Sequence, residues 1–287
     1  MSTLPIRLDL NPTLAVNQAD RDTTLFAAAQ DGNLEALSRL LRQPGANANA
    51  RDADGRMPLM RIRSHPNATG FPRTSISMAK ALLRNVAGIN ARDNNGITAL
   101  MSAAQQHNDD LVRYLVQHGA DAGAQDKRGN TALMQVVGAD ETTSNLIRYL
   151  CPNKSIANLR NAAGMTALMV LSGTGRRGYN SEGTMAQLVS LAADVNAADD
   201  LGDTALMDAA ANPAVYVAPD VVQGLLAVGA RIDVKNKLGR TAFDLVPPGH
   251  ANVAELLMAA GVKVPNWDGR WEGTLGGCPV MLCMWMN

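Results

Sequence analysis

Apolar positions in this chain fall into short blocks that recur, with polar turns between them. Six blocks open alike, with a glycine, one variable residue and then Thr-Ala-Leu-Met or a worn copy of it. Residues 96–101, 129–134, 164–169 and 202–207 are full copies, and 55–60 and 239–244 are worn ones. Three residues ahead of each glycine stands an Asp or Asn: Asp52, Asp93, Asp126, Asn161, Asp199 and Asn236. That spacing predicts a tight turn in which the glycine supplies a positive φ. The threonine then falls at a helix N-cap, ahead of a first apolar run such as Ala99-Leu100-Met101 with Ala103-Ala104. A second run, Leu111-Val112 with Tyr114-Leu115-Val116, is spaced as one face of a helix and stops at Gly119. Turn, helix, tight turn, helix and stop make one unit.

The block glycines lie at 55, 96, 129, 164, 202 and 239. A unit of this size cannot bury its own apolar face and must stack on its neighbours. The expected fold class is an all-α repeat solenoid with short β-hairpin turns. Gly45, Gly119, Gly229 and Gly261 fall where second helices end. Asn153 and Ala192 fall at the corresponding places in two other units, Asn153 as the next-best left-handed residue and Ala192 as a strained one.

These units resemble the ankyrin repeat, a 33-residue β-turn plus two helices carrying T-P-L-H-x-A. Residues 93–125 fit best, and Ile89-Asn90-Ala91 and Val195-Asn196-Ala197 match the family's inter-repeat tail. The resemblance spans residues 22–264 and implies an ankyrin-repeat array of about seven units. They start near residues 21, 52, 93, 126, 161, 199 and 236, with the first as an N-terminal cap. Residues 1–20 form an extension, and 265–287, holding Trp267, Trp271 and Trp285, a cap or tail. Two departures stand out. Ala replaces the family's Pro in five copies, and Met60, Met101, Met134, Met169 and Met207 replace its His. The family's His ties neighbouring hairpins by hydrogen bonds, so the methionines are expected to exchange those bonds for core packing.

Net charge is zero with a pI near 6.9, which argues against a dedicated nucleic-acid or membrane-surface binder. Hydrophobic residues make up 46% but aromatics only 3%, so the core is built from Ala, Leu, Val and Met. No apolar stretch reaches the length of a membrane span. Cys151, Cys278 and Cys283 imply no disulfide framework, and the latter two alone are a weak metal site. Intracellular, cytoplasmic life as a monomer is the expectation. Gly173-Thr174-Gly175-Arg176-Arg177-Gly178 matches G-x-G-x-x-G but lacks the strand–helix context of a dinucleotide site, so it reads as a loop. No other catalytic signature is present, and no cofactor is expected.

The resemblance implies a non-catalytic module that binds a folded protein partner. Three places offer contacts. Loops inserted between paired helices carry Phe71, Arg73, Arg176, Arg177, Tyr179 and Tyr216, of types enriched at interface hot spots. Equally, these loops are tolerated insertions whose aromatics fold back on the array. Inner helices offer Arg61, Ser102, Gln105, Gln106, Gln135 and Asp208 on a polar, concave stripe, and hairpins offer Lys127, Arg128, Asn130 and Asp203. Two alternatives stand beside this reading. One is a toxin-neutralising or host-directed effector scaffold. The other is an enzyme with its site in the inserted loops or tail, which perturbed titratable groups would favour.

Overall fold

The computed structural model describes residues 18–63, 74–137, 143–173, 181–212, 218–247 and 249–262. Among them the helices come in seven pairs. These are α1 (Gln18–Gln30) with α2 (Leu34–Leu41), a 3-10 turn (Pro58–Arg61) with α3 (Thr74–Arg84), and α4 (Ala99–Gln105) with α5 (Asp109–Gln117). Next come α6 (Ala132–Val136) with α7 (Thr143–Leu150), followed by a one-turn helix α8 (Lys154–Ala157). Then follow α9 (Ala167–Gly173) with α10 (Ser181–Ser190) and α11 (Ala205–Ala211) with α12 (Ala218–Ala227). A second 3-10 turn (Phe243–Leu245) with α13 (Ala251–Ala259) is the last.

The pair α4–α5 shows why these residues fold as they do. Thr98 Oγ1 accepts from the Met101 N–H at 3.3 Å, capping α4. His107 turns the chain at φ 50°, and Asn108 Oδ1 accepts from Leu111 N–H to start α5. At the far end Gly119 adopts φ 91°, and the Ala120 N–H returns to the Leu115 carbonyl at 2.9 Å, closing a Schellman-type stop. Thr131 and Thr204 cap α6 and α11 in the same way.

First helices stack on first helices (α4 on α6, α6 on α9, α9 on α11) and second on second (α3, α5, α7, α10, α12, α13 in sequence). The result is a two-row solenoid with one continuous core. Leu100, Leu133, Leu168 and Leu206 are buried at its centre, and the five methionines beside them are at most 4% exposed. The methionines are core, as expected. Yet they keep part of a polar role: Met60 Sδ accepts from Met57 N–H at 3.5 Å and Met169 Sδ from Thr166 N–H at 3.4 Å.

Three features depart from the expectations. The hairpins are tight turns rather than paired strands; among the described residues the isolated β-bridge is Ala198 with Thr204. Ala192 does take a left-handed conformation, φ 65°, but Val86 does too, at φ 63°, a position the sequence pattern left unmarked. Asn153 is not left-handed. At φ −146° it caps α8, its Oδ1 accepting from Ile156 N–H and Ser155 Oγ. The chain therefore leaves α7 through an extra turn of helix and not through a left-handed stop.

One unit earlier, the residue that faces this loop also differs. Asn49, Asn90, Asn158 and Asn196 each clasp the loop that ends the next unit's second helix. Asn90, for instance, donates to the Gly119 carbonyl and accepts from Asp121 N–H. The same two bonds join Asn49 to Val86 and Gly88, Asn158 to Ala192 and Asp194, and Asn196 to Gly229 and Arg231. At the corresponding place before α7 the residue is Gly123. Ile156 in α8 and Leu159 just after it lie 3.9 and 3.6 Å from where a Cβ on Gly123 would stand. The clasp is absent here, yet the stop does not require it: Gly261 holds φ 107° although Asp233, engaged by Arg231, stands at the clasp position of the preceding unit.

Candidate functional site

Each hairpin is closed by its own leading Asp or Asn. Asp93 Oδ1 accepts from the N–H groups of Asn95 and Ile97, both at 2.8 Å, while Asp93 N–H bonds the Ile97 carbonyl. Asp52, Asp126, Asn161, Asp199 and Asn236 repeat the arrangement. Rigid turns then stack through one backbone bond apiece. The N–H of Asn94, Lys127, Ala162, Asp200 and Lys237 donates to the carbonyl of Asp54, Asn95, Arg128, Ala163 and Leu201 respectively, at 2.8–3.2 Å. Alongside, Arg51, Arg92 and Gln125 each reach the equivalent carbonyl of the next unit, those of Arg92, Gln125 and Arg160.

With the backbone committed to this ladder, the tip side chains are exposed, and those of Asn94 and Lys237 donate back to the carbonyls of Ala53 and Asp200 on the preceding tips. The exposed pairs run Ala53-Asp54, Asn94-Asn95, Lys127-Arg128, Ala162-Ala163, Asp200-Leu201 and Lys237-Leu238. Leu201 and Leu238 are 66% and 72% exposed, on neighbouring tips joined by the Lys237–Leu201 bond. Sequence reading missed this apolar pair because a turn leucine, taken alone, carries no signal. The single-letter pattern shows two leucines 37 residues apart; only the stacking puts them side by side.

Beneath the first, third and fifth tips, the residue nine positions after the leading aspartate faces it. Arg61 places two guanidinium nitrogens on Asp52 Oδ2, at 2.5 and 3.2 Å. Burial raises the Asp52 carboxyl, but the Arg61 guanidinium and the backbone N–H groups of Arg56 and Asp54 outweigh it and hold the group below its ordinary range. Gln135 Nε2 donates to Asp126 Oδ2 at 3.3 Å. Asp208 occupies the same place over Asp199. Burial first, then the charges of Asp199 and Asp203, push its carboxyl up to about 7.

The expected contact residues therefore separate. Lys127, Arg128 and Gln105 are exposed, and Ser102 and Gln106 are half-buried, with Gln106 Nε2 on the Ser102 carbonyl. Arg61, Asn130, Gln135 and Asp203 are tied into the hairpin framework: Asn130 Oδ1 accepts from Asn161 Nδ2 and Asp203 Oδ1 from Asn236 Nδ2. Asp208 is half-buried, not solvated, and Asn212 at the C-terminal end of α11 is buried. Phe71, Arg73, Arg176, Arg177, Tyr179 and Tyr216 lie outside the described residues, as do Cys278, Cys283 and the tryptophans. Among the described residues no group of three His, Cys, Asp or Glu side chains could hold a metal ion, and no helix is long and apolar enough to cross a membrane.

A family model for ankyrin repeats matches residues 25–126 and 68–151. Over 122 residues the chain is 34% identical to the B-cell lymphoma 3 protein homolog of Mus musculus, a match covering 42% of this chain and 25% of that protein. Over 118 residues it is 29% identical to the ankyrin repeat and SAM domain-containing protein 6 of Rattus norvegicus, covering 41% of this chain and 12% of that one. The matches thus span a quarter or less of these relatives. The crystal structure of the human ASB11 ankyrin repeat domain superposes with a TM-score of 0.65 over 84% of this chain and 98% of that one, at 24% identity. The likeness to that structure is one of fold.

Proposed function

The chain is an ankyrin-repeat protein, and from that premise we propose that it is a non-catalytic module that binds a folded protein partner. Ankyrin-repeat domains are in general protein–protein interaction modules. The observation that supports this reading most is the contrast between an invariant hairpin backbone and the tips it presents. Cationic, amide, acidic and apolar pairs follow one another on a frame whose hydrogen bonds do not change. A surface that varies on a constant support suits recognition, because tip side chains such as Lys127 and Arg128 can change at little cost to the fold.

The partner's footprint on this reading runs over the tips at Lys127 and Arg128, the inner-helix residues Ser102, Gln105 and Gln106, and the inserted loops with Arg176, Arg177 and Tyr179. The protein acts as a monomer inside the cell. The test compares proteins retained from the native lysate by the full chain and by a Lys127→Glu, Arg128→Glu variant of unchanged denaturation midpoint. A protein retained by the first and lost by the second supports the reading. Identical retention by both removes the third tip from the interface.

A further inference from the structure

We propose that Asp208 enters the fold as a carboxylic acid and shares its proton with Asp199, which makes the fifth hairpin a pH-sensitive joint. Two of its counterparts form a rung with their leading aspartate. In the first and third hairpins Oδ1 of the leading aspartate is occupied by two turn N–H groups, and Oδ2 receives a donor nine residues on, Arg61 or Gln135. In the fifth, Asp199 Oδ1 is likewise occupied, by the N–H groups of Leu201 and Asp203, both at 2.8 Å. The residue nine positions on is Asp208, which has a donor to offer only when protonated.

Asp208 Oδ2 is buried and has no hydrogen-bond partner among the described residues. The charges bearing on it, those of Asp199 and Asp203, have its own sign. Elements packed against α11 supply no remedy. The α9 helix carries no titratable side chain, α12 contributes Asp220, and the 3-10 turn contributes Asp244, which already accepts from Thr241. A proton on Asp208 completes the rung as O–H···O to Asp199 Oδ2, with no net charge added. Its release to solvent leaves three carboxylates facing one another. The repulsion then acts on Asp199, which closes the turn, and on Asp203, which holds Asn236 of the sixth hairpin at 2.7 Å.

The sign follows from the raised affinity for the proton. The group's ordinary value is 3.8, and in the fold it titrates at about 7. Between these values the folded chain keeps a proton that the unfolded chain has lost, so stability falls as pH rises through that window and the loss is complete above it.

The experiment measures denaturation of the full chain from pH 4 to 9 beside Asp208→Asn, whose amide can donate as that of Gln135 does. The folding constant of the wild type relative to the variant should fall up to about tenfold per pH unit across the window and level off near neutrality. Taking the ratio cancels the histidines, which both proteins share. A second measurement follows the Asp208 side-chain 13C carboxyl signal in the wild type. It should titrate near neutrality, and Asp199→Asn, which puts at this turn the residue type of Asn161 and Asn236, should lower its midpoint. A carboxyl titrating in the ordinary acidic range, or a ratio that does not change with pH, overturns the proposal. Should Asp208→Asn not fold, the carbon signal in the wild type decides alone.

Discussion

At the residue scale the informative positions are those where a side chain sits in a conformation it disfavours. Ala192 and Val86 both hold left-handed φ angles, and their carbonyls accept from Asn158 and Asn49. A Cβ in that region costs about 1–2 kcal/mol, offset in part by the extra unfolded-chain freedom of glycine. Ala192→Gly should therefore stabilise the protein by up to about 1 kcal/mol in chemical denaturation. Val86→Gly should gain more, since a β-branched residue is a sharper outlier there and an 81% exposed side chain gives up no burial. A destabilised glycine variant at either site would contradict the assignment. Met134→Ala tests the opposite environment: at 4% exposure it should cost about 2–5 kcal/mol. Ala192 was legible in the sequence because four glycines mark the same place in other units. Val86 was not, because a β-branched valine is the residue one least expects at positive φ. Nor was the setting of Asp208, which reads as one more polar residue on an inner stripe until the turn nine residues earlier folds against it.

At the element scale the hairpin carries the coupling between units, and glycine has two separable duties in it. Gly129 has φ 77°, and a Cβ there would lie 2.6 Å from Ala162 N, the donor of the next rung. Gly239 has φ 74° and open space around it. Gly239→Ala should lose about 1–2 kcal/mol to backbone strain alone. Gly129→Ala should lose more, because the fourth hairpin must also move away. Equal losses, read from denaturation midpoints at matched slopes, would mean that the turn yields without disturbing its neighbour. Helices, turns and caps were legible because their signals are local: Asx, Gly and Thr at fixed offsets. The α8 helix was not, since Asn153 reads as a left-handed stop, and the contacts of Ile156 and Leu159 with Gly123 lie about 30 residues away in sequence. The same distance hid the Leu201–Leu238 pair.

At the scale of the whole molecule, stability and recognition rest on different atoms. Core contacts and the rungs hold the units together, whereas the Lys127 and Arg128 side chains are exposed to solvent. Changing Lys127 and Arg128 to Glu should therefore move the denaturation midpoint by no more than about 0.5 kcal/mol while weakening partner binding by about 2 kcal/mol if they are hot spots. Loss of both together would show that these tips serve the fold. The rungs have one further property. All five backbone bonds point the same way, from an N–H in the later hairpin to a carbonyl in the earlier one. Each unit thus brings one donor on its N-terminal side and one acceptor on its C-terminal side. Excising a whole unit, such as residues 126–160, would leave Asn95 with a free carbonyl and Ala162 with a free N–H, the two halves of a normal rung. A gene that duplicates or drops one period therefore alters the length of the protein without leaving a mismatched seam, and the ladder is what makes such copying events survivable.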